Sequence, residues 1–358
     1  MNNKYIMSSS PHVSTNKTTR NIMLDVIIAL MPATIAGSLI FGLYSLLVVA
    51  TSIISAVCGE VIFNKITKKE STIGDLSAVV TGLILGLNLP PTISLHIPVI
   101  GGLFAIIVVK MLLGGLGKNF ANPAMTARIF LVLAFTAQMT VFVAPIDLSK
   151  GASALVENFP LMFKHEHYGA IDALAQATPL ANIKRGILPN IASPEGNKYT
   201  LLSLFLGTHG GTIGETSAVA LLIGGVYLVV RKVIDWKIPV IYLATSSLMI
   251  LALYQGNYQL ILPGLMSGGL LLGAIYMATD YSSSPNYKWA VVVYAIGLGI
   301  LTEIFRKYSS MNEGVSFAIL LMNIITPLLD KYIFPRSFGY IKEKKVKDKK
   351  PSTESVKK

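Results

Sequence analysis

Asp75 and Glu215 are the first candidates for chemistry, because they hold matching places in two similar strings, Ile73–Val79 and Ile213–Val219. Each acid stands just before a short apolar block. One interpretation is that it complements the dipole of a helix N-terminus. The other is that it serves an ion or proton relay, because ionisable groups in an apolar layer are costly and usually functional. Both interpretations stay open from the residues alone.

Other charged residues lie at the ends of predicted apolar helices. For these the simplest interpretation is a snorkelling side chain or a pair between helices. They are Asp25, Glu60, Lys110, Arg128, Asp280 and Glu303.

The sequence offers little that could bind a metal ion or a nucleotide phosphate. The five histidines are scattered, and only His165 and His167 lie close together, so no metal site is predicted. The single cysteine, Cys58, excludes disulfides and an iron–sulfur cluster built from this chain alone. The string Gly114–Lys118 lacks the spacing of a phosphate-binding loop, which argues against ATP-driven transport by this chain.

The composition predicts an all-α integral membrane protein. Hydrophobic residues make up 53% of the 358 and charged residues 13%, against about 25% charged in a soluble domain. The apolar residues form blocks near bilayer length, which must be helical because lipid cannot satisfy backbone amides. About ten spans are predicted: Ile22–Phe41, Tyr44–Phe63, Leu76–Leu89, Ile97–Leu113, Ala124–Val143, Thr216–Val230, Ile238–Tyr254, Leu260–Ala278, Trp289–Phe305 and Val315–Phe334.

Lysine and arginine clusters in the short loops predict the orientation. If there are ten spans, four such clusters and Lys118 fall on one side of the membrane, whereas Arg306 and Lys307 fall on the other. We therefore expect a multi-pass protein of the cell (inner, cytoplasmic) membrane with both termini in the cytoplasm. Much of the net charge of +12 lies in the tail from Lys342, so we attribute it to topology and expect no nucleic-acid partner.

The chain divides into five parts on this basis. A cytoplasmic N-terminal segment (1–21) precedes the first transmembrane half (22–143). An extracytoplasmic loop (144–213) leads to the second half (214–334), and a basic cytoplasmic tail (335–358) follows.

An internal repeat is visible in the two halves. The strings around Asp75 and Glu215 echo each other, Ile97–Ile100 echoes Ile238–Ile241, and Gly114–Leu116 echoes Gly268–Leu270. Under the predicted topology these are inverted repeats. Their short, glycine-interrupted opening blocks are typical of broken or re-entrant helices that meet at the membrane midplane. Ordinary tilted spans are the alternative.

The outer loop contains the string Asp172–Ala181, which reads DALAQATPLA. Pro179 favours an extended backbone at Thr178, and we expect the hydroxyl of Thr178 to be exposed. The string resembles the acceptor of an extracytoplasmic flavin transferase, which joins the phosphate of FMN to a threonine hydroxyl. Asp172, Ala177 and Thr178 match that pattern, whereas Ala175 replaces the usual hydroxyl residue and Gln176 replaces a small one.

Further motifs resemble the NqrB/RnfD family, whose members are flavin-carrying subunits of ion-pumping electron-transport complexes. The resemblance covers about Ser10 to Phe334, and the length favours the Rnf branch. The motifs that carry it are Ser10–His12, Thr81–Leu83, Asn88–Pro91, Gly114–Ala124 with Arg128, Met277–Asp280, Ser284-Pro285, Asn312–Val315 and Leu321–Asn323.

The resemblance implies a urea-channel-like fold and a subunit that is not catalytic alone. The complex would couple electron transfer between ferredoxin and NAD to Na⁺ or H⁺ translocation. FMN would be linked to Thr178, and a second, non-covalent flavin (riboflavin or FMN) would lie among the helices. Asn122, Arg128 and Asp280 join Asp75 and Glu215 as candidates for the ion or flavin path.

The implied partners are the other Rnf subunits, including a neighbouring FMN-carrying one, the flavin transferase and membrane lipid. A secondary transporter or channel for a small solute is the competing function, since inverted repeats and midplane breaks would serve it equally well. A scaffold subunit without flavin is a third. Neither alternative needs an acceptor threonine in an outer loop.

Overall fold

The computed structural model describes residues 18–146, 178–186, 200–309 and 314–334, whose regular elements are helices. The helices are α1 (Thr19–Phe41), α2 (Leu43–Thr67), α3 (Ser77–Leu87), α4 (His96–Leu103, continued by a π-helical segment Phe104–Met111), α5 (Pro123–Ala134), α6 (Thr136–Met139), α7 (Pro179–Lys184), α8 (Leu201–Leu206), α9 (Ala218–Val230), α10 (Lys237–Leu253), α11 (Ile261–Met266), α12 (Leu270–Leu272, continued by a π-helical segment Gly273–Met277), α13 (Lys288–Tyr308) and α14 (Gly314–Tyr332). Short 3₁₀ turns occupy Ile73–Asp75 and Tyr258–Leu260.

The all-helical membrane class is confirmed. Among the described residues, α1, α2, α13 and α14 are long and apolar enough to cross a membrane, and a bent pair that ends in α12 makes a fifth candidate. Five shorter apolar helices overlap the other predicted blocks. The count of ten spans stays a prediction, because these five are too short to qualify by length.

The first broken helix is α3. It ends before Asn88, and the residues from Asn88 to Ile93 stay buried without being helical. Helix ends leave carbonyl groups without partners inside the helix. Here the backbone N–H groups of Gly214 and Ile213 donate to the carbonyls of Leu87 (2.7 Å) and Leu89 (3.1 Å). The stretch before α9 thus satisfies the end of α3, as an apolar surrounding demands.

The second break separates α11 from α12, where the axis bends by 66°. Gly268 and Gly269 have φ of 68° and 66°, a left-handed conformation that glycine adopts without strain. The apolar block Leu260–Ala278 is therefore two half-helices, whereas we predicted a single span. The predicted block Ala124–Val143 is likewise shorter as a helix, because α5 ends at Ala134.

Small residues set how the long helices pack. α1 and α9 are antiparallel, since Asp25 bonds Arg231 at one end and Gly37 contacts Ile213 at the other. At their crossing Gly224 lies against the carbonyl of Ala29.

α2 and α4 run parallel, because Ser55 bonds the carbonyl of Pro98 and Gly59 contacts Ile106 further along. α10 and α13 also run parallel, with Ser246 beside Gly299 and Lys307 over the ring of Tyr254. Such matching pairs suit duplicated halves, although the repeat relationship stays a prediction.

Candidate functional site

Thr178 begins the short helix α7. Its backbone is extended (φ −70°, ψ 151°), as predicted from Pro179, and its Oγ1 accepts a hydrogen bond from the N–H of Ala181 at 3.4 Å. The predicted exposure of its hydroxyl is wrong, because Thr178 is only 8% exposed. A hydroxyl that caps a helix turns back towards the chain, which explains the difference. Asp172 and Ala177 lie outside the described residues.

Helix α7 packs on the second helix break. A methyl group added to Gly268 would lie 2.5 Å from Cδ2 of Leu180, so that side chain occupies the space a larger residue would need. At the other end of α7, Nζ of Lys184 donates to the carbonyl of Ser309, which follows α13. Thr178 is thus fixed beside the break between α11 and α12.

Arg306 of α13 satisfies the carbonyl groups of that break. Its guanidinium donates to the carbonyls of Gly264 (2.8 Å), Ser267 (2.7 Å) and Gly268 (3.2 Å). It also pairs with Glu303 at 3.1 Å, and both side chains are almost fully buried. Arg306 is therefore an interior residue and not a loop charge. This explains why it falls on the opposite side from the lysine and arginine clusters that predict the orientation.

Arg128 and Glu215 both lie beside Gly269, the second glycine of the same break. A methyl group on Gly269 would lie 3.8 Å from Nη1 of Arg128 and 3.8 Å from Oε2 of Glu215. Arg128 donates to Oδ1 of Asn88 at 2.7 Å, which connects it to the end of α3. The two breaks and two of the candidate residues therefore share one junction in the interior.

The two candidate acids have different surroundings despite their matching strings. Oδ1 of Asp75 accepts from the N–H (2.8 Å) and the hydroxyl (2.5 Å) of Ser77, the first residue of α3. Asp75 thus occupies the place of a helix N-terminal charge, and its part in an ion relay stays a prediction. Glu215 accepts from Thr212 at 3.0 Å, and Ser217 caps α9 instead.

A buried ion pair joins α2 to the π-helical end of α4. Nζ of Lys110 lies 2.9 Å from Oε1 of Glu60, with side-chain exposures of 2% and 0%. Lys110 also donates to Ser77 (2.6 Å), and Thr72 donates to Glu60 (2.5 Å). The pairing interpretation holds for these residues and snorkelling does not, because neither charge reaches the surface.

A cavity opens between α1, α3, α5 and the region after α12. Asn122 and Asp280 both line it, together with Lys110, Ser77 and Asn119. Asn122 caps α5 through the N–H groups of Ala124 and Met125, and Asp280 accepts from the hydroxyls of Ser282 (3.0 Å) and Ser283 (3.2 Å).

The structure thus divides the candidate residues into three groups. Thr178 lies beside Gly268 through Leu180, Arg128 and Glu215 face Gly269, and Asn122 and Asp280 line the cavity. Asp75 is linked to the cavity through Ser77, which lines it. In the described residues, no three His, Cys, Asp or Glu side chains are close enough to hold a metal ion.

Sequence reasoning missed the roles of Asn88 and Arg306. Arg306 lies about forty positions from the carbonyls that it binds, a distance that no local pattern reveals. The pair Gly268-Gly269 inside an apolar block is the signal in the sequence for this break, because paired glycines mark turns and interrupt helices.

Comparison with known proteins shows a family match over residues 6–339, to the family described as NQR2, RnfD, RnfE. The D subunit of the Na⁺-translocating ferredoxin:NAD⁺ oxidoreductase complex of Acetobacterium woodii is 42% identical over 95% of this chain and 96% of its own length. The D subunit of the proton-translocating ferredoxin:NAD⁺ oxidoreductase complex of Clostridium ljungdahlii is 37% identical (94% and 97%). The D subunit of the ion-translocating oxidoreductase complex of Vibrio cholerae is 34% identical (94% and 99%).

Proposed function

Because the chain belongs to the NQR2, RnfD, RnfE family, we propose that it is the flavin-carrying membrane subunit of an Rnf-type complex. The complex couples electron transfer between ferredoxin and NAD to the movement of Na⁺ or H⁺, and FMN is esterified to Thr178. Two of the relatives are named as the D subunit of such complexes, one Na⁺-translocating and one proton-translocating. The names and the near-complete coverage support the complex, and the geometry around α7 supports the flavin.

The position of Thr178 carries the flavin proposal. Thr178 starts a helix that packs directly on an interior break, and the next residue of that break, Gly269, faces Arg128 and Glu215. A redox group on this threonine would therefore lie next to charged groups in the apolar interior. A solute transporter has no need for that arrangement.

The residues around Thr178 fit a phosphoester-linked flavin. The N–H of Ala181 points to Oγ1 of Thr178, so it would donate to a phosphate there as helix N-terminal amides do. Oδ1 of the buried Asn182 has no donor in the described part of the chain, and the N–H of a flavin ring would supply one. FMN supplies one- or two-electron transfer when it is bound, and the protein's residues place it and set its potential.

We assign the second, non-covalent flavin to the cavity lined by Asn122 and Asp280, whose free volume of about 80 Å³ would have to widen to admit the ring system. Its walls combine apolar side chains with Lys110, Asn119, Asn122 and Asp280, the mixture typical of cofactor pockets. Oδ1 of Asn119 is buried without a donor among the described residues, so a ligand N–H or O–H would satisfy it. These side chains would hold the ring system and exclude water from it.

Ion movement would use the charged residues around the cavity and beside the second helix break. Asp75, Ser77, Lys110 and Glu60 form one connected hydrogen-bonded network, and Arg128 with Glu215 forms the interior junction. In an apolar interior, a charge added to either flavin position changes the energy of a cation nearby far more than it would in water. This electrostatic effect is the proposed basis of coupling.

The proposed partners follow from this role. We place the FMN-carrying neighbour and the flavin transferase on the side of Thr178, outside the cytoplasm, and both termini in the cytoplasm. The surrounding membrane is the cell membrane.

The test is covalent flavin on the full chain, produced together with its flavin transferase. We expect a fluorescent band after denaturing electrophoresis and an intact mass raised by one FMN phosphoester. Both signals should be absent in Thr178→Ala and retained in Thr178→Ser, which keeps a hydroxyl. A bare polypeptide mass in properly matured wild-type material would refute the electron-carrier role and leave the transporter function standing.

A further inference from the structure

Three lysines form a shallow pocket where α2 ends. Lys65, Lys68 and Lys69 line it together with Asn64 and Ser71. All three lysines are exposed, and none of the side chains that line this pocket is acidic. Glu70, between Lys69 and Ser71, is exposed but does not line the pocket. The pocket therefore presents a net positive charge to an anion.

The fold holds this turn in a fixed shape around Asn64. The backbone carbonyl of Asn64 accepts from the N–H groups of Lys68 and Lys69. Its side-chain Nδ2 donates to Thr72 at 3.1 Å, which fastens the far end of the turn. The lysine backbones are therefore positioned before any ligand arrives.

Asn64, which lines the pocket, also has an unmet acceptor. It is 5% exposed, and its Oδ1 has no hydrogen-bond donor in the described part of the chain. A buried acceptor without a donor is costly. A ligand that fits this pocket should therefore carry a hydroxyl group as well as a negative charge.

One wall of the pocket continues as an apolar surface along α2. Val61 lines the pocket, and Ile62 and Ile66 beside it are exposed, Ile66 by 75%. α2 is long and apolar enough to span the membrane. The wall thus lies at the depth of acyl chains, and the lysines lie at the depth of lipid headgroups.

We propose that this pocket binds the headgroup of an anionic phospholipid with a free hydroxyl, of the phosphatidylglycerol class. The phosphate would lie among Lys65, Lys68 and Lys69, and the glycerol hydroxyl would donate to Asn64 Oδ1. The acyl chains would run along Val61, Ile62 and Ile66. Basic clusters at the ends of membrane helices attract anionic lipid in this way. The site does not depend on the flavin.

Native mass spectrometry of the full chain in detergent, titrated with phosphatidylglycerol or phosphatidylcholine, tests the proposal. We expect tighter binding of phosphatidylglycerol and a loss of about fivefold in affinity per lysine removed. Lys68→Gln combined with Lys69→Gln should therefore weaken binding about 25-fold. Lys232→Gln combined with Lys237→Gln removes the same amount of charge from the region between α9 and α10. This control should leave the affinity for phosphatidylglycerol nearly unchanged.

Four results would overturn the site. The first is equal affinity for the two lipids, and the second is an equal loss in both lysine pairs, which would mean diffuse attraction only. The third is displacement of the lipid by soluble glycerophosphoglycerol or inorganic phosphate at the same concentration, because the apolar wall would then contribute nothing. Circular dichroism of each variant confirms that it is folded. If the lysine variants instead lose a neighbouring subunit while binding lipid normally, the pocket is a protein contact and the proposal fails.

Discussion

Removal of one partner of the Lys110–Glu60 pair should destabilise the chain far more than removal of both. The Nζ and Oε1 atoms lie 2.9 Å apart, and neither side chain has more than 2% of its surface exposed. In Lys110→Met, Glu60 keeps only the hydroxyl of Thr72 as a donor, since its Oε2 already has none among the described residues. The remaining carboxylate is then a buried charge without compensation.

The expected loss is about 3–5 kcal/mol in the free energy of unfolding for Lys110→Met. Glu60→Gln leaves a buried ammonium in the same way, and we expect a similar loss. The double variant keeps an acceptor for Thr72 but buries no charge. Its loss should be smaller than that of either single variant, because replacing a whole buried pair by neutral groups is often nearly neutral.

Reversible unfolding of the purified chain in mixed micelles, followed by circular dichroism, measures these differences. The matched control is Lys237, which pairs with Asp235 at 3.6 Å where the two side chains are 39% and 46% exposed. Lys237→Ala should shift the unfolding midpoint far less, because water replaces the lost partner of Asp235. If the loss in free energy of unfolding for the double variant equals the sum of the losses for the two single variants, the pair contributes no interaction energy and the reasoning is refuted.

Two further predictions concern packing. Gly224→Ala should sharply lower the yield of folded protein, because the added methyl group would overlap the carbonyl of Ala29. In the control, Gly74→Ala, the methyl group has nothing within 4 Å and the variant should behave as wild type. Size-exclusion profiles in detergent compare the two variants, and equal profiles would contradict the crossing. Leu180→Ala should speed hydrogen exchange of the α7 amides, since a cavity replaces its contact with the second break. Leu202→Ala, at a side chain that is 66% exposed, should not change exchange, and equal protection in both variants would show that Leu180 does not hold α7.

The positions of the helices could be predicted well from the sequence. Each apolar block contains a helix or the bent pair, because the cost of burying unpaired backbone groups in lipid leaves little else for such a block to form. Block ends marked by proline, such as Pro90-Pro91, were also predicted correctly. Those signals are local in the chain.

The interior of the candidate site could be predicted only in part. Thr178 was found from its string, but its burial comes from α7 packing on Gly268. Asp75 and Glu215 share a local string and yet have different partners, because Glu215 faces a glycine from a distant half-helix. These contacts depend on which helices become neighbours, which no single string encodes.

The glycine crossing of α1 and α9 limits how this protein can move. At Gly224 the backbone of α9 lies directly on the carbonyl of Ala29. The buried hydroxyl of Tyr276 fills the space beside it and donates to the carbonyls of Ala29 (3.2 Å) and Leu221 (3.0 Å), which fixes the crossing further. A rocking of one half against the other about this crossing would force the helices apart or into overlap. Any opening and closing for an ion is therefore confined to small shifts at the two helix breaks, with the α1–α9 contact as the fixed pivot around which the rest is built.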